Sequence, residues 1–243
     1  MSQLDFDDFD VLTFDCYGTL IDWESGIVAA LHAALDDAPV EGTPGALPAD
    51  DALLEAFGRH ESGVEAGPYL PYRQVLERVI RAIGDETGRR PPDDAIVAFG
   101  GSVVDWPPFP DSTAALASLH EHFRLGVITN CDDDLFAASA KRLGIEFDWV
   151  ITAQQARRYK PNPRNFELAF ERIGLPPKRL LHVAQSLFHD HVPAKRLGLS
   201  TVWVDRRHDR PGSGATPPAQ AAPDLVVPDM ATLAALAAAT PAA

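Results

Sequence analysis

The feature that most constrains this chain is a series of short apolar runs that never alternate with polar residues. They are Val11-Leu-Thr-Phe14, Leu125-Gly-Val-Ile-Thr129, Trp149-Val-Ile-Thr152, Leu180-Leu-His-Val-Ala184 and Thr201-Val-Trp-Val204, with Leu225-Val-Val227 a weaker sixth. A strand with one face in water shows a period of two. Runs without that period belong to strands covered on both faces, which means a parallel sheet between layers of helix. Segments of helical period separate the runs: Ser112 to His122, Asp132 to Leu143 ending at Gly144, Pro163 to Ile173 ending at Gly174, and Pro193 to Leu197 ending at Gly198. Strand and helix in alternation predict right-handed βαβ units in a doubly wound α/β sheet.

One region breaks the alternation. Between residues 22 and 105 helical stretches occur near Ile27 to Leu35, Asp51 to Glu61, Pro71 to Ile83 and Asp93 to Gly101, without a convincing strand. The simplest reading is a core domain of residues 1–21 and 106–243 with a helical domain, residues 22–105, inserted after the first strand. Trp106-Pro-Pro-Phe-Pro110 reads as the return linker. Asp209 to Pro223, rich in Pro, Gly and Ala, reads as a surface loop. No internal repeat is present.

Charge and cysteine content narrow the partners. The formal net charge is -14 over 243 residues, so the surface repels nucleic acid and anionic lipid, and neither is expected as a partner. An anionic small molecule would need a locally positive site. Two cysteines, Cys16 and Cys131, do not make a disulfide scaffold. The first ten residues lack a signal peptide's basic and apolar regions, and no apolar stretch is long enough to span a bilayer. The expected setting is cytoplasmic.

In a doubly wound sheet the ligand sits beyond the carboxyl ends of the strands. Four strand ends carry polar residues: Asp15 with Thr19, Thr129 with Asn130, Lys160 after the third run, and Gln185 through Asp190. Asp15 stands out. It ends a buried run and precedes the tight loop Cys16-Tyr17-Gly18-Thr19-Leu20, whose backbone donors are expected to hold its charge. A carboxylate so fixed is a candidate nucleophile. His182, His189 and His191 flank Asp190, but an extended chain would turn His189 and His191 to opposite sides, so no metal set is expected.

FDCYGTL, VITN, YKPNP and the late stretch ending at Asp190 resemble, in order, the four motifs of the haloacid dehalogenase superfamily, with the helical insertion where that superfamily carries its cap. Two departures separate the chain from the superfamily's phosphatases. Tyr17 stands where they carry a second aspartate as general acid, and a phenol is a poor acid near neutral pH. Gln185 stands where they carry a carboxylate for Mg²⁺, an ion that prefers such oxygen ligands. The DxYGTL form is similar to the L-2-haloacid dehalogenase branch.

That resemblance implies a metal-independent hydrolase without a cofactor. Asp15 attacks the halogen-bearing carbon, halide leaves without needing a proton, and water hydrolyses the resulting ester at the Asp15 carbonyl. It implies catalytic roles for Asp15, Lys160 and Asp190, with Lys160 neutralising Asp15 and Asp190 pairing with Lys160 and helping to place water. It implies that Thr19 bonds the Asp15 carboxylate, that Thr129 helps bind the substrate carboxylate, and that Asn130 lies beside the leaving halide. A cap arginine is expected to anchor substrate: Arg59 by position, with Arg73 the rival. Tyr17, Phe57 and Tyr69 are candidates for the apolar wall, and Gln185 or His189 for the missing late-motif asparagine. Phe166 replaces a tyrosine of the well-known dehalogenases. A homodimer is an analogy only. The alternatives are a phosphatase with an altered acid catalyst and a non-enzymatic protein that binds small anions on the same fold.

Overall fold

The computed structural model describes residues 4–40, 46–208, 210 and 214–239. The six expected strands form one parallel sheet: β1 (Val11–Phe14), β2 (Arg124–Thr129), β3 (Trp149–Thr152), β4 (Leu180–Ala184), β5 (Ser200–Val204) and β6 (Leu225–Val227). Their order is β3-β2-β1-β4-β5-β6. β1 is therefore central, with Phe14 in register with Val127 on one side and Val183 on the other. All strands point the same way, so Asp15, Asn130 and Gln185 leave the sheet at one edge. β1 and β4 are buried at every position, as expected of strands covered on both faces.

Helices α1 (Trp23–Leu35), α2 (Asp50–Glu65), α3 (Tyr72–Thr87) and α4 (Asp93–Gly101) follow β1 without an intervening strand. Then come α5 (Ser112–His120), α6 (Asp133–Leu143), the single turn α7 (Ala153–Ala156), α8 (Arg164–Ile173), the short α9 (Val192–Arg196) and α10 (Met230–Ala238). α3 is amphipathic: Tyr72, Val75, Leu76, Val79, Ile80 and Ile83 are buried at spacings of three and four. It ends at Gly88, whose φ of 67° is the left-handed conformation that glycine adopts without strain.

Two local expectations change. Asp132, expected to open α6, turns its carboxylate across to α3. It accepts from the backbone N–H of Tyr72 at 2.9 Å and of Arg73 at 3.3 Å, which favours a negative charge at that helix N-terminus. The stretch 209–223, expected to be a surface loop, is partly inside. Residues 209 and 211–213 lie outside the described residues, but Ala215 is fully buried and Thr216 nearly so. The reason is Gly58 on α2, where a β-carbon would stand 2.4 Å from the Ala215 carbonyl oxygen. Among the described residues no helix is long and apolar enough to cross a membrane.

The return linker closes on α1. Trp106, on the return linker, is almost fully buried and lies over Gly26 so closely that a β-carbon would sit 2.4 Å from its ring. Gly26→Ala is expected to destabilise the fold by about 1–3 kcal/mol through overpacking, read as a lower urea midpoint with an unchanged slope.

Candidate active site

The site is organised by one ammonium group. Lys160 is 1% exposed, and its Nζ donates to Asp15 Oδ1 at 2.9 Å, Asp190 Oδ1 at 2.6 Å and the Ile128 carbonyl at 2.7 Å. A lysine has three N–H donors, so all are engaged. Asn130 pins the lysine's backbone from both sides: its Oδ1 accepts from Lys160 N at 2.7 Å and its Nδ2 donates to Lys160 O at 3.1 Å.

Asp15 is held on its other oxygen by Thr19, whose hydroxyl donates to Oδ2 at 2.7 Å and accepts from the Gln185 backbone N–H at 2.9 Å. The loop's own backbone donors do something else. The N–H groups of Leu20 and Ile21 close on the Cys16 carbonyl, and that of Gly18 on the Ile21 carbonyl, so these three donors hold the turn and not the carboxylate. Gly18 carries the one left-handed residue of this turn, φ 91°.

The two acids are not equivalent. Burial raises the Asp15 carboxyl above its ordinary range, against the pull of Lys160. For Asp190 burial acts the same way, but Lys160 and His182 overcome it and hold the carboxyl below that range. Burial lowers the Lys160 ammonium, yet the two carboxylates more than restore it. Asp190 is thus the firm counter-ion and Asp15 the more basic carboxylate. Behind them runs a buried chain across β1 and β4, with Thr13 Oγ1 2.9 Å from His182 Nδ1 and His182 Nε2 3.0 Å from Asp190 Oδ1.

A small cavity of about 30 Å³ opens beside Asp15, lined by Asp15, Tyr17, Asn130, Lys160, Ser186, His189 and Asp190 from the core and by Trp23, Glu61, Glu65, Tyr72 and Thr216. Asp190 Oδ2 is buried there with no hydrogen-bond partner. Tyr17 turns its hydroxyl away from Asp15, to Ser139 Oγ at 3.0 Å, and Cys131 Sγ approaches it at 3.3 Å. Burial pushes the phenol well above its usual range. Both cysteines are fully buried.

Several expected residues stand elsewhere. Neither arginine lines the cavity. Arg59 is exposed and paired with Glu86 at 2.8 Å, because it lies two residues, more than half a helical turn, from the inward-facing Phe57 and Glu61. Arg73 is paired with Asp134. Phe57 is fully buried against Trp23 and Phe99, a core residue and not a wall. Tyr69 lies farther out, stacked on Tyr159. Thr129 is buried with an unpartnered hydroxyl and does not line the cavity. The Gln185 side chain faces a neighbouring cavity with Arg206 and Arg207, where Thr216 reaches its Oε1 at 3.3 Å. His189 and His191 lie on a wide helical turn, Leu187–His191, instead of an extended segment. Burial pushes the His189 imidazole down to about 4, leaving it neutral. Among the described residues no three His, Cys, Asp or Glu side chains are grouped to hold a metal ion.

Residues 9–187 match the haloacid dehalogenase-like hydrolase family. The chain belongs to that family. Residues 158–233 also match the HAD-hydrolase-like family. This hydrolase is 26% identical over 201 residues to an (S)-2-haloacid dehalogenase of Pseudomonas putida, spanning 81% of this chain and 85% of that one. It is 37% identical over 101 residues to a glyceraldehyde 3-phosphate phosphatase of Methanothermobacter thermautotrophicus, a match to 40% of this chain and 45% of that one. Its fold is that of the L-2-haloacid dehalogenase of Xanthobacter autotrophicus, with a TM-score of 0.76 and 22% identity over 96% of this chain and 100% of that one.

Replacing Lys160 with Met in this hydrolase leaves two buried carboxylates without their cation. The expected loss is about 3–5 kcal/mol of unfolding free energy, measured by urea denaturation. Adding Asp190→Asn to Lys160→Met is expected to recover part of it, because one uncompensated charge is then gone.

Proposed function

We propose that this hydrolase removes halide from carbon 2 of small 2-haloacids, with Asp15 as the nucleophile and without a metal. The observation that carries the reading is the place two residues after Asp15. A phosphoryl-transfer catalyst needs a proton donor for the departing alkoxide. Tyr17 stands there with its phenol buried, its pKa far above neutral and its hydroxyl engaged with Ser139 and Cys131. Halide departs as a stable anion and needs no proton.

The chemistry follows from the ion triad. An Asp15 oxygen attacks the halogen-bearing carbon from the face opposite the halide. The carbon–halogen bond breaks as the ester bond forms, and the configuration inverts. Lys160, bonded to both acids, keeps charge balance as Asp15 loses its negative charge. Water then attacks the Asp15 carbonyl carbon and the ester's acyl–oxygen bond breaks. The alkyl oxygen leaves in the 2-hydroxy acid carrying one of water's protons, the other proton is released to solvent, and Asp15 is regenerated as a carboxylate with one oxygen from water. Asp190 Oδ2, buried without a protein partner beside the cavity, is the acceptor for that water. His189, which lines the same cavity, takes the part of the asparagine of similar dehalogenases. The cavity, with room for about one water, excludes bulky substrates.

With EDTA present, chloride release from chloroacetate or 2-chloropropionate is the expected result. Asp15→Asn is expected to lower the rate at least about 10⁴-fold, since the nucleophile itself is gone. Single turnover in H₂¹⁸O is expected to label the Asp15 peptide. Hydrolysis of a phosphomonoester with Mg²⁺, and of no haloacid, would overturn the reading.

A further inference from the structure

The cavity raises a problem of charge. Four carboxylates line it, Asp15, Glu61, Glu65 and Asp190, against the single ammonium of Lys160. That ammonium has no N–H to spare for a substrate. The insertion's arginines at positions 59 and 73 are outside, paired with Glu86 and Asp134. A 2-haloacid is an anion at neutral pH, and no cation besides Lys160 lines this cavity to receive its carboxylate.

Glu61 and Glu65 are the groups the sequence analysis did not anticipate. They are four residues apart on α2 and share one helix face, the face that also carries Leu53 and Phe57 inward. Glu61 is 4% exposed, and Tyr72 donates to its Oε1 at 2.6 Å. Glu65 lies at the cavity's mouth, 3.4 Å from Asn130 Nδ2, whose stronger bond goes to Lys160 O. Neither glutamate has a cation of its own. Charge on the buried Glu61 with a second charge on the half-buried Glu65 one helical turn away would be costly, and a carboxyl group so placed takes up a proton instead.

We propose that Glu61 and Glu65 hold a proton between them, and that this protonated carboxyl, in place of an arginine, receives the substrate's carboxylate. The substrate then enters as an anion accompanied by a proton. This rests on the dehalogenase reading above. The groups around the pair are mostly acidic or neutral, with the exposed Arg158, bonded to the Arg157 carbonyl, the cation of the outer cavity on the Glu65 side. Asp15 and Asp190 face the pair from the sheet, with Lys160 between them. Tyr72 faces it from α3, and Tyr69 and Tyr159 from the mouth. Asp132 is turned to the α3 N-terminus, and His189 is neutral. Burial raises Glu61 to about 7, and burial with the charge of Glu61 raises Glu65 well above its usual range. The two titrate as one system.

The sign is fixed by the chemistry. The anion binds the protonated pair, so raising the pH removes the binding form. On the alkaline side of neutrality kcat/KM for chloroacetate is expected to fall about tenfold per pH unit once the last proton is lost. For 2-chloroacetamide, which is neutral and brings its own N–H donors, kcat/KM is expected to stay level over the same range. The double variant Glu61→Gln, Glu65→Gln carries permanent N–H donors and is expected to lose the alkaline fall with chloroacetate. A purely structural role for the two residues would leave that fall in place. Calorimetry of acetate binding in buffers of different ionisation enthalpy supplies a readout free of turnover, with uptake approaching one proton per acetate on the alkaline limb. Parallel profiles for the acid and the amide, or acetate binding without proton uptake, would overturn the proposal. Proton-linked acetate binding with no chloride released from either compound would instead overturn the dehalogenase reading while sustaining the proton-linked site.

Discussion

Everything at this site depends on placing an ammonium group where water cannot reach it. A buried Lys160 would be untenable alone, because removing a charge from water costs several kcal/mol even after relaxation. It is tolerated because three strands deliver acceptors to one point. Asp15 follows β1, the Ile128 carbonyl belongs to β2, and Asp190 comes from the turn after β4. Those strands are adjacent in the sheet, so the distances are set by strand spacing and not by loop conformation. Asn130 fixes the lysine's own backbone to the end of β2, which removes the remaining freedom. The Thr13–His182–Asp190 chain extends the same order one layer deeper, so the carboxylate facing Lys160 is braced from behind.

The sheet and the triad were legible in the sequence because each rests on a local signal. An apolar run without alternation is a strand covered on both faces wherever it occurs, and polar residues at the ends of parallel strands converge by geometry alone. All six runs are strands. Asp15, Thr19, Lys160 and Asp190 lie within hydrogen-bond distance of one another in sequence, through Oδ2 of Asp15 on one side and Nζ of Lys160 on the other.

The insertion was less legible, because a helix's rotation about its axis is fixed by what it packs against. Arg59 was the choice by position, yet the phase set by Phe57 turns it to solvent. The same phase turns Glu61 inward. A signal was available: positions 53, 57, 61 and 65 form one stripe of α2 that begins with Leu and Phe and ends with two glutamates. Acids that continue an apolar stripe are candidates for burial. Tyr72 and Thr216 had no such signal. Tyr72 is held in place by Asp132 bonding the first residues of α3, and Thr216 by the seat that Gly58 leaves open, and both are contacts between distant parts of the chain.

The division between sheet and insertion has a bearing on descent. Asp15, its lysine and its partner acid are locked into hydrogen bonds that leave little room for exchange. The groups that meet the rest of a bound molecule come largely from α1, α2 and α3, which carry no strand register to preserve. One helical stripe can therefore change its charge without disturbing the hydrogen bonds beneath it. In such an architecture, what the pocket admits is separable from what the sheet holds.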